Sequence, residues 1–195
     1  MNHLGHLYFA ERDDGHRLGS LAADWFKGRL EHKDLPPRIT AGIRRHRFID
    51  GFADQHPAAL AARRAFAPSR RRGGGIILDM VNDHFLIRHW DTYAATSLGS
   101  FRASAYDSLE RTRPWWPRQG QEVIGRLIRE DWIARYADLA TVAAILEGIG
   151  RRMRRDPGLA DPLALLERHE RLLEEAFHAL MADLRERLHH DGANG

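Results

Sequence analysis

PLALLERHERLLEEAFHALMADLRERLH, residues 162–189, decides the fold. Leu163, Leu166, Leu173, Phe177, Leu180, Met181 and Leu184 recur at three- and four-residue intervals, which makes one face of a long helix apolar and leaves the other charged. Such a stripe must be covered, and the rest of the chain supplies more helices to cover it. Residues 18–31 repeat the period in Leu18, Leu21, Ala22, Trp25, Phe26 and Leu30 and stop before Pro36-Pro37. Pro37 suits a first helical position and predicts a helix over 37–52. His56-Pro57 restarts a short helix to about residue 66, and the segment 69–75, three arginines followed by three glycines, reads as a turn. Helices over 76–93, 97–111, 121–136 and 138–155 follow, with a proline-fixed loop at 113–118. No strand pair or internal repeat is legible. The expected class is all-α, a single compact helical bundle over residues 1–190 with a frayed tail at 191–195.

Composition narrows the chemistry. The 195 residues include no cysteine, which removes disulfides, thiolate zinc sites and a cysteine nucleophile. A metal here would be held by His, Asp, Glu, main-chain oxygen or water, a donor set suited to zinc, manganese, iron or magnesium. Thirty basic residues against 27 acidic ones leave a formal charge of only +3, a mild bias toward an acidic partner. The opening Met1-Asn2-His3-Leu4-Gly5-His6 lacks the basic and apolar regions of a signal peptide, and no run of about 18 apolar residues occurs. No membrane partner is expected, and the chain reads as cytoplasmic. There is no phosphate-binding P-loop, no dinucleotide fingerprint and no Gly-x-Ser-x-Gly elbow.

Two segments place ionisable groups among apolar residues. The first is Gly42-Ile43-Arg44-Arg45-His46-Arg47-Phe48-Ile49-Asp50, in which His46 and Asp50 are four apart and share a helix face. The second is Asp79-Met80-Val81-Asn82-Asp83-His84-Phe85-Leu86, in which Asp79 and Asp83 are four apart and His84 is rotated by about 100° from Asp83. Asp24 lies inside Leu21-Ala22-Ala23-Asp24-Trp25-Phe26, and His6 inside an apolar opening. Taken alone, each has an ordinary reading: a hydrogen-bonded pair for His46 and Asp50, a solvated face for Asp79 and Asp83, a surface position for Asp24, and a satisfied core histidine for His6 and His84. Jointly they suggest a metal site: Asp79 and Asp83 would relieve their repulsion by sharing a cation, and His46, Asp50 and His84 add nitrogen and oxygen donors. A cation so held lowers the pKa of water and clamps a phosphoryl oxygen, while an uncoordinated Asp or His serves as acid or base.

These residues resemble the acyl carrier protein phosphodiesterases, or holo-acyl carrier protein hydrolases. The resemblance runs through Asn2-His3-Leu4-Gly5-His6-Leu7, Gly19-Ser20-Leu21-Ala22-Ala23-Asp24-Trp25, the Gly42–Asp50 stretch with Asp54-Gln55-His56-Pro57, and Asp79 with Asp83-His84-Phe85-Leu86 leading to Trp90. It covers roughly the first half of the chain. The chain departs from the family pattern at His3, where a larger apolar residue is typical, at Gly5, where alanine is, and at Trp25, where phenylalanine is. The resemblance implies a distant kinship with the all-α HD-type metal phosphohydrolases, although the adjacent pair here is Asp83-His84 and not His-Asp. It also implies hydrolysis of the phosphodiester between 4′-phosphopantetheine and a serine of holo-acyl carrier protein, supported by manganese, with magnesium or iron as alternatives.

The resulting expectation places metal on His46, Asp50, Asp83 and His84, and gives catalytic roles to Asp24, Asp79 and His6. An acidic carrier protein would dock on Arg44, Arg45, Arg47, Arg70, Arg71 and Arg72. Trp115 and Trp116 read as a buried loop anchor, with packing on the pantetheine arm as the alternative. Two other functions compete: a metal phosphohydrolase acting on a nucleotide or small phosphodiester, and a non-enzymatic helical module binding nucleic acid or an acidic protein through arginine alone. Nucleic acid is not expected, because clustered carboxylates repel phosphate unless a cation intervenes.

Overall fold

Asp13 accepts a hydrogen bond from the His16 amide and so caps a helix that the apolar pattern alone would start later, at residue 18. The computed structural model describes residues 1–66, 72–155 and 157–192, and among these every regular element is helical. The α-helices are α1 (His3–Tyr8), α2 (Asp14–Ala22), α3 (Pro37–Gln55), α4 (Pro57–Ala65), α5 (Gly74–Arg88), α6 (Trp90–Tyr93), α7 (Leu98–Arg111), α8 (Gln121–Arg129), α9 (Trp132–Arg135), α10 (Leu139–Arg152) and α11 (Pro162–Gly192). None is long and apolar enough to cross a membrane among the described residues. The all-α expectation holds.

The boundaries correct the sequence reading in several places. Residues 18–31 do not form one helix: α2 ends at Ala22, a 3-10 turn covers Ala23–Trp25, and Gly28 takes a left-handed φ of 85° before a second 3-10 turn at Leu30–His32. Glycine, with no Cβ, takes that conformation without a steric penalty. The 121–136 segment divides into α8 and α9 at Asp131, whose φ is 46°. The 76–93 segment likewise divides, into α5 and α6, and α5 already begins at Gly74. Helix α11 runs to Gly192, so Asp191 and Gly192 belong to it; residues 193–195 lie outside the described ones.

The chain falls into two compact units. The first comprises Asn2–Ile49 and Leu86–Ala137; the second comprises Met1, Asp50–Phe85 and Asp138–Gly195. In the first, α2 packs against α1 and α7. Asp14 at the start of α2 accepts two hydrogen bonds from the Arg111 guanidinium, at 2.6 and 2.8 Å, and another from the Ser108 hydroxyl. The α2–α3 crossing depends on two glycines. A Cβ on Gly19 would run into the Ile39 carbonyl oxygen, and one on Gly42 into that of His16. Trp116 is buried and its indole N–H donates to the Leu109 carbonyl at 2.9 Å, so it anchors the proline loop; Trp115 is 47 % exposed and does not.

In the second unit α11 packs against α4 and α10 through the apolar stripe of residues 162–189: Leu166, Leu173, Phe177, Leu180, Met181 and Leu184 are all buried. Phe85 of α5 meets Phe177 with ring centroids 5.8 Å apart. His56, just before α4, holds Asp183 of α11 at 3.0 Å through Nε2.

Candidate active site

Within the first unit, the crossing at Gly19 and Gly42 brings the last turn of α2 against the middle of α3. Carbonyls in a last helical turn run out of intrahelical donors. That of Ser20 accepts a hydrogen bond from His46 Nδ1 at 2.8 Å. A carbonyl oxygen only accepts, so Nδ1 carries the proton, and Nε2 is the atom turned toward Asp24 Oδ1, 3.6 Å away. His46 is buried, while the Asp24 side chain, on the 3-10 turn after α2, is 84 % exposed. His6 of α1 is also buried, and its ring stacks on that of His46 with centroids 3.7 Å apart and planes 16° from parallel.

The two stacked imidazoles are possible donors to a divalent cation. Metal-binding imidazoles commonly donate their other N–H to a carbonyl, which fixes tautomer and ring orientation. Here Ser20 does that for His46 and leaves Nε2 facing the Asp24 carboxylate, an arrangement that a proton or a cation between them stabilises. Nearby, His3 is hydrogen-bonded through Nδ1 to the Tyr136 hydroxyl at 2.9 Å, stacked on that ring and tilted against Trp132. Burial pushes the His3 imidazole down to about 4, outweighing the opposing pull of Asp24, so it is neutral at pH 7.

The second unit holds a different cluster. The N-terminal ammonium of Met1 lies 2.7 Å from Asp79 Oδ1 and 3.6 Å from Asp50 Oδ1. Burial alone would lower its pKa; Asp79 and Asp50, with a smaller pull from Asp83, outweigh that and raise it. Asp83, one turn along α5 from Asp79, is fully buried, and His84 is buried with its ring edge-on to Phe85 at 5.4 Å. The ammonium thus lies between Asp50 and Asp79, with Asp83 near enough to add to their pull. Asp50 itself is one turn beyond His46 in the unbroken helix α3, as their spacing predicts. Asp54, still within α3, pairs instead with Arg63 at 2.5 Å.

The arginines divide by what they already hold. Arg45 faces Glu11 at 4.0 Å. Arg47 donates to the carbonyls of Phe26 and Gly28, at 2.7 and 3.1 Å. Arg44 is exposed and pairs with no described residue, and Arg72 is exposed just before α5; Arg70 and Arg71 lie outside the described residues. Three features of the site were missed from sequence: the Ser20 carbonyl, the His3–Tyr136 contact and the Met1 ammonium. Only the first left a signal, the small residues Gly19 and Gly42 in the two segments that cross.

A family model described as acyl carrier protein phosphodiesterase matches residues 1–184. Among similar curated proteins, the acyl carrier protein phosphodiesterase of Photorhabdus laumondii is 39 % identical over 170 residues, covering 87 % of this chain and 85 % of that one. The protein of the same name from Yersinia pestis is 36 % identical over 91 % of this chain and 92 % of its own. That of Serratia proteamaculans is 35 % identical over the same shares. No solved structure matches the chain.

Proposed function

The chain belongs to the acyl carrier protein phosphodiesterase family, and on that premise we propose that it hydrolyses the phosphodiester joining 4′-phosphopantetheine to holo-acyl carrier protein, releasing the apo protein in the cytoplasm. The observation that carries the chemistry is the orientation of His46, with Nδ1 donating to the Ser20 carbonyl and Nε2 turned to Asp24. His46 and His6 would hold a divalent cation, manganese foremost and magnesium or iron as alternatives, with Asp24 facing it. Such a cation, when bound, supplies Lewis acidity to the phosphoryl group. The exposed Asp24 carboxylate is placed to orient a water and take its proton. His6, packed flat on His46, holds that ring in place and offers a second nitrogen.

In the second unit, Asp50, Asp83 and His84 are proposed as a carboxylate–imidazole donor set in their own right, with Asp79 as the neighbouring acid–base group. Arg44 leads the proposed docking residues, with Arg45, Arg47 and Arg70–Arg72 contributing positive field toward an acidic carrier protein.

Titrating metal-stripped protein with manganese, and assaying holo-acyl carrier protein beside a panel of nucleotides, tests the reading. Activity should appear with metal and on the carrier protein alone. Asp24→Ala and Asp83→Ala should each abolish turnover and leave the helical circular dichroism intact. Activity indifferent to stripping, or confined to nucleotides, contradicts it.

A further inference from the structure

Next to the Asp24 turn, within the first unit, the chain forms a cleft of about 710 Å³ whose walls include Arg29, Glu31, His32, Arg44 and Arg47. One wall is the 28–32 segment and the other is α3. The segment is shaped from three directions. Gly28 reverses the chain with its left-handed φ of 85°. Leu30 is buried and pins the segment down. Arg47 reaches across from α3 to the carbonyls of Phe26 and Gly28. Arg47 therefore builds the cleft, while Arg29 and Arg44, both exposed and in no ion pair with a described residue, stand on opposite walls.

We propose that this cleft is the docking site for a carboxylate-bearing protein surface, with Arg29 and Arg44 as its two contact charges and Arg47 as a positioning residue. The partner's identity as the acyl carrier protein rests on the proposed function above. The cationic groups stand at an open mouth on long side chains, which suits a carboxylate-studded helix better than a small buried anion. A nucleic acid strand fits less well. Of the lining residues, His32 alone carries a ring on which a base could stack, and two unpaired arginines make no continuous track for a polyphosphate backbone.

The test compares wild type with Arg29→Glu/Arg44→Glu in three measurements: steady-state hydrolysis of holo-acyl carrier protein, direct binding of that carrier protein by calorimetry, and binding of a single-stranded oligonucleotide. Docking through the cleft predicts a KM for carrier protein raised about tenfold or more, with kcat at saturation within about twofold, and a weaker salt dependence of kcat/KM. Arg47→Lys, which keeps the charge but replaces the planar guanidinium whose Nη2 reaches both carbonyls, should raise KM by a smaller factor. An unchanged KM and unchanged binding overturn the proposal. So does a variant that loses oligonucleotide binding and keeps the carrier protein. Wild type that binds carrier protein in the cleft without hydrolysing it leaves docking standing and defeats the hydrolytic reading alone.

Discussion

His46 gives its Nδ1 proton to the carbonyl oxygen of Ser20, 2.8 Å away, and this contact sets which nitrogen faces the carboxylate of Asp24. Because the acceptor is main chain, no side-chain substitution at position 20 removes it; the imidazole itself must be changed. His46→Ala is expected to lower manganese affinity by at least about tenfold, read by calorimetry on metal-stripped protein, since losing even a group that only supports a ligand costs about 10- to 100-fold at such sites. Asp24→Asn should remove turnover and shift unfolding free energy by no more than about 0.5 kcal/mol, because the side chain is exposed. Unchanged affinity in His46→Ala would show that the imidazole is structural.

The α2–α3 crossing makes a second test. Gly19→Ala and Gly42→Ala each push a methyl into a backbone carbonyl of the facing helix. Each should cost roughly 1–3 kcal/mol in urea unfolding, the usual range for overpacking, and weaken metal binding with it, since Ser20 would move away from His46. Gly51 is the contrast: it lies inside α3, and nothing stands within 4 Å of the place a Cβ would occupy. Gly51→Ala should therefore stabilise the protein by about 0.5–1 kcal/mol.

His3 gives a pH prediction. Its imidazole is lowered from 6.5 to about 4 by burial. Between those values the unfolded chain binds a proton that the folded chain does not, so this residue's contribution favours folding at neutral pH and is lost as pH falls from 6.5 toward about 4. Two-dimensional NMR of the His3 ring should show no titration between about pH 8 and pH 5. His3→Phe should flatten the decline in stability over that window. A His3 midpoint near 6.5 would contradict the buried contact with Tyr136.

What could be read in the sequence was what repeats locally. The α11 stripe is legible because its period persists for many turns, and His46 and Asp50 because four-residue spacing in one helix needs no tertiary knowledge. The segment 18–31 misled because Trp25, Phe26 and Leu30 continue the helical period past Ala22, where α2 ends, and Leu30 does so even past the turn at Gly28. The break at Asp131 was hidden for a different reason. Its left-handed backbone is held from a distance, by Arg102 at 2.6 Å and the Tyr106 hydroxyl at 2.8 Å, and neither is near it in sequence. The Ser20–His46 contact belongs to the same class: it exists only once two glycines let two helices touch.

Intact-mass spectrometry of holo-acyl carrier protein, incubated with the enzyme and manganese, tests the proposed hydrolysis most directly. The expected result is loss of one 4′-phosphopantetheine to give the apo mass, prevented by a chelator and by Asp24→Asn. A carrier protein whose mass stays at the holo value, in the presence of folded, manganese-loaded protein, would contradict it.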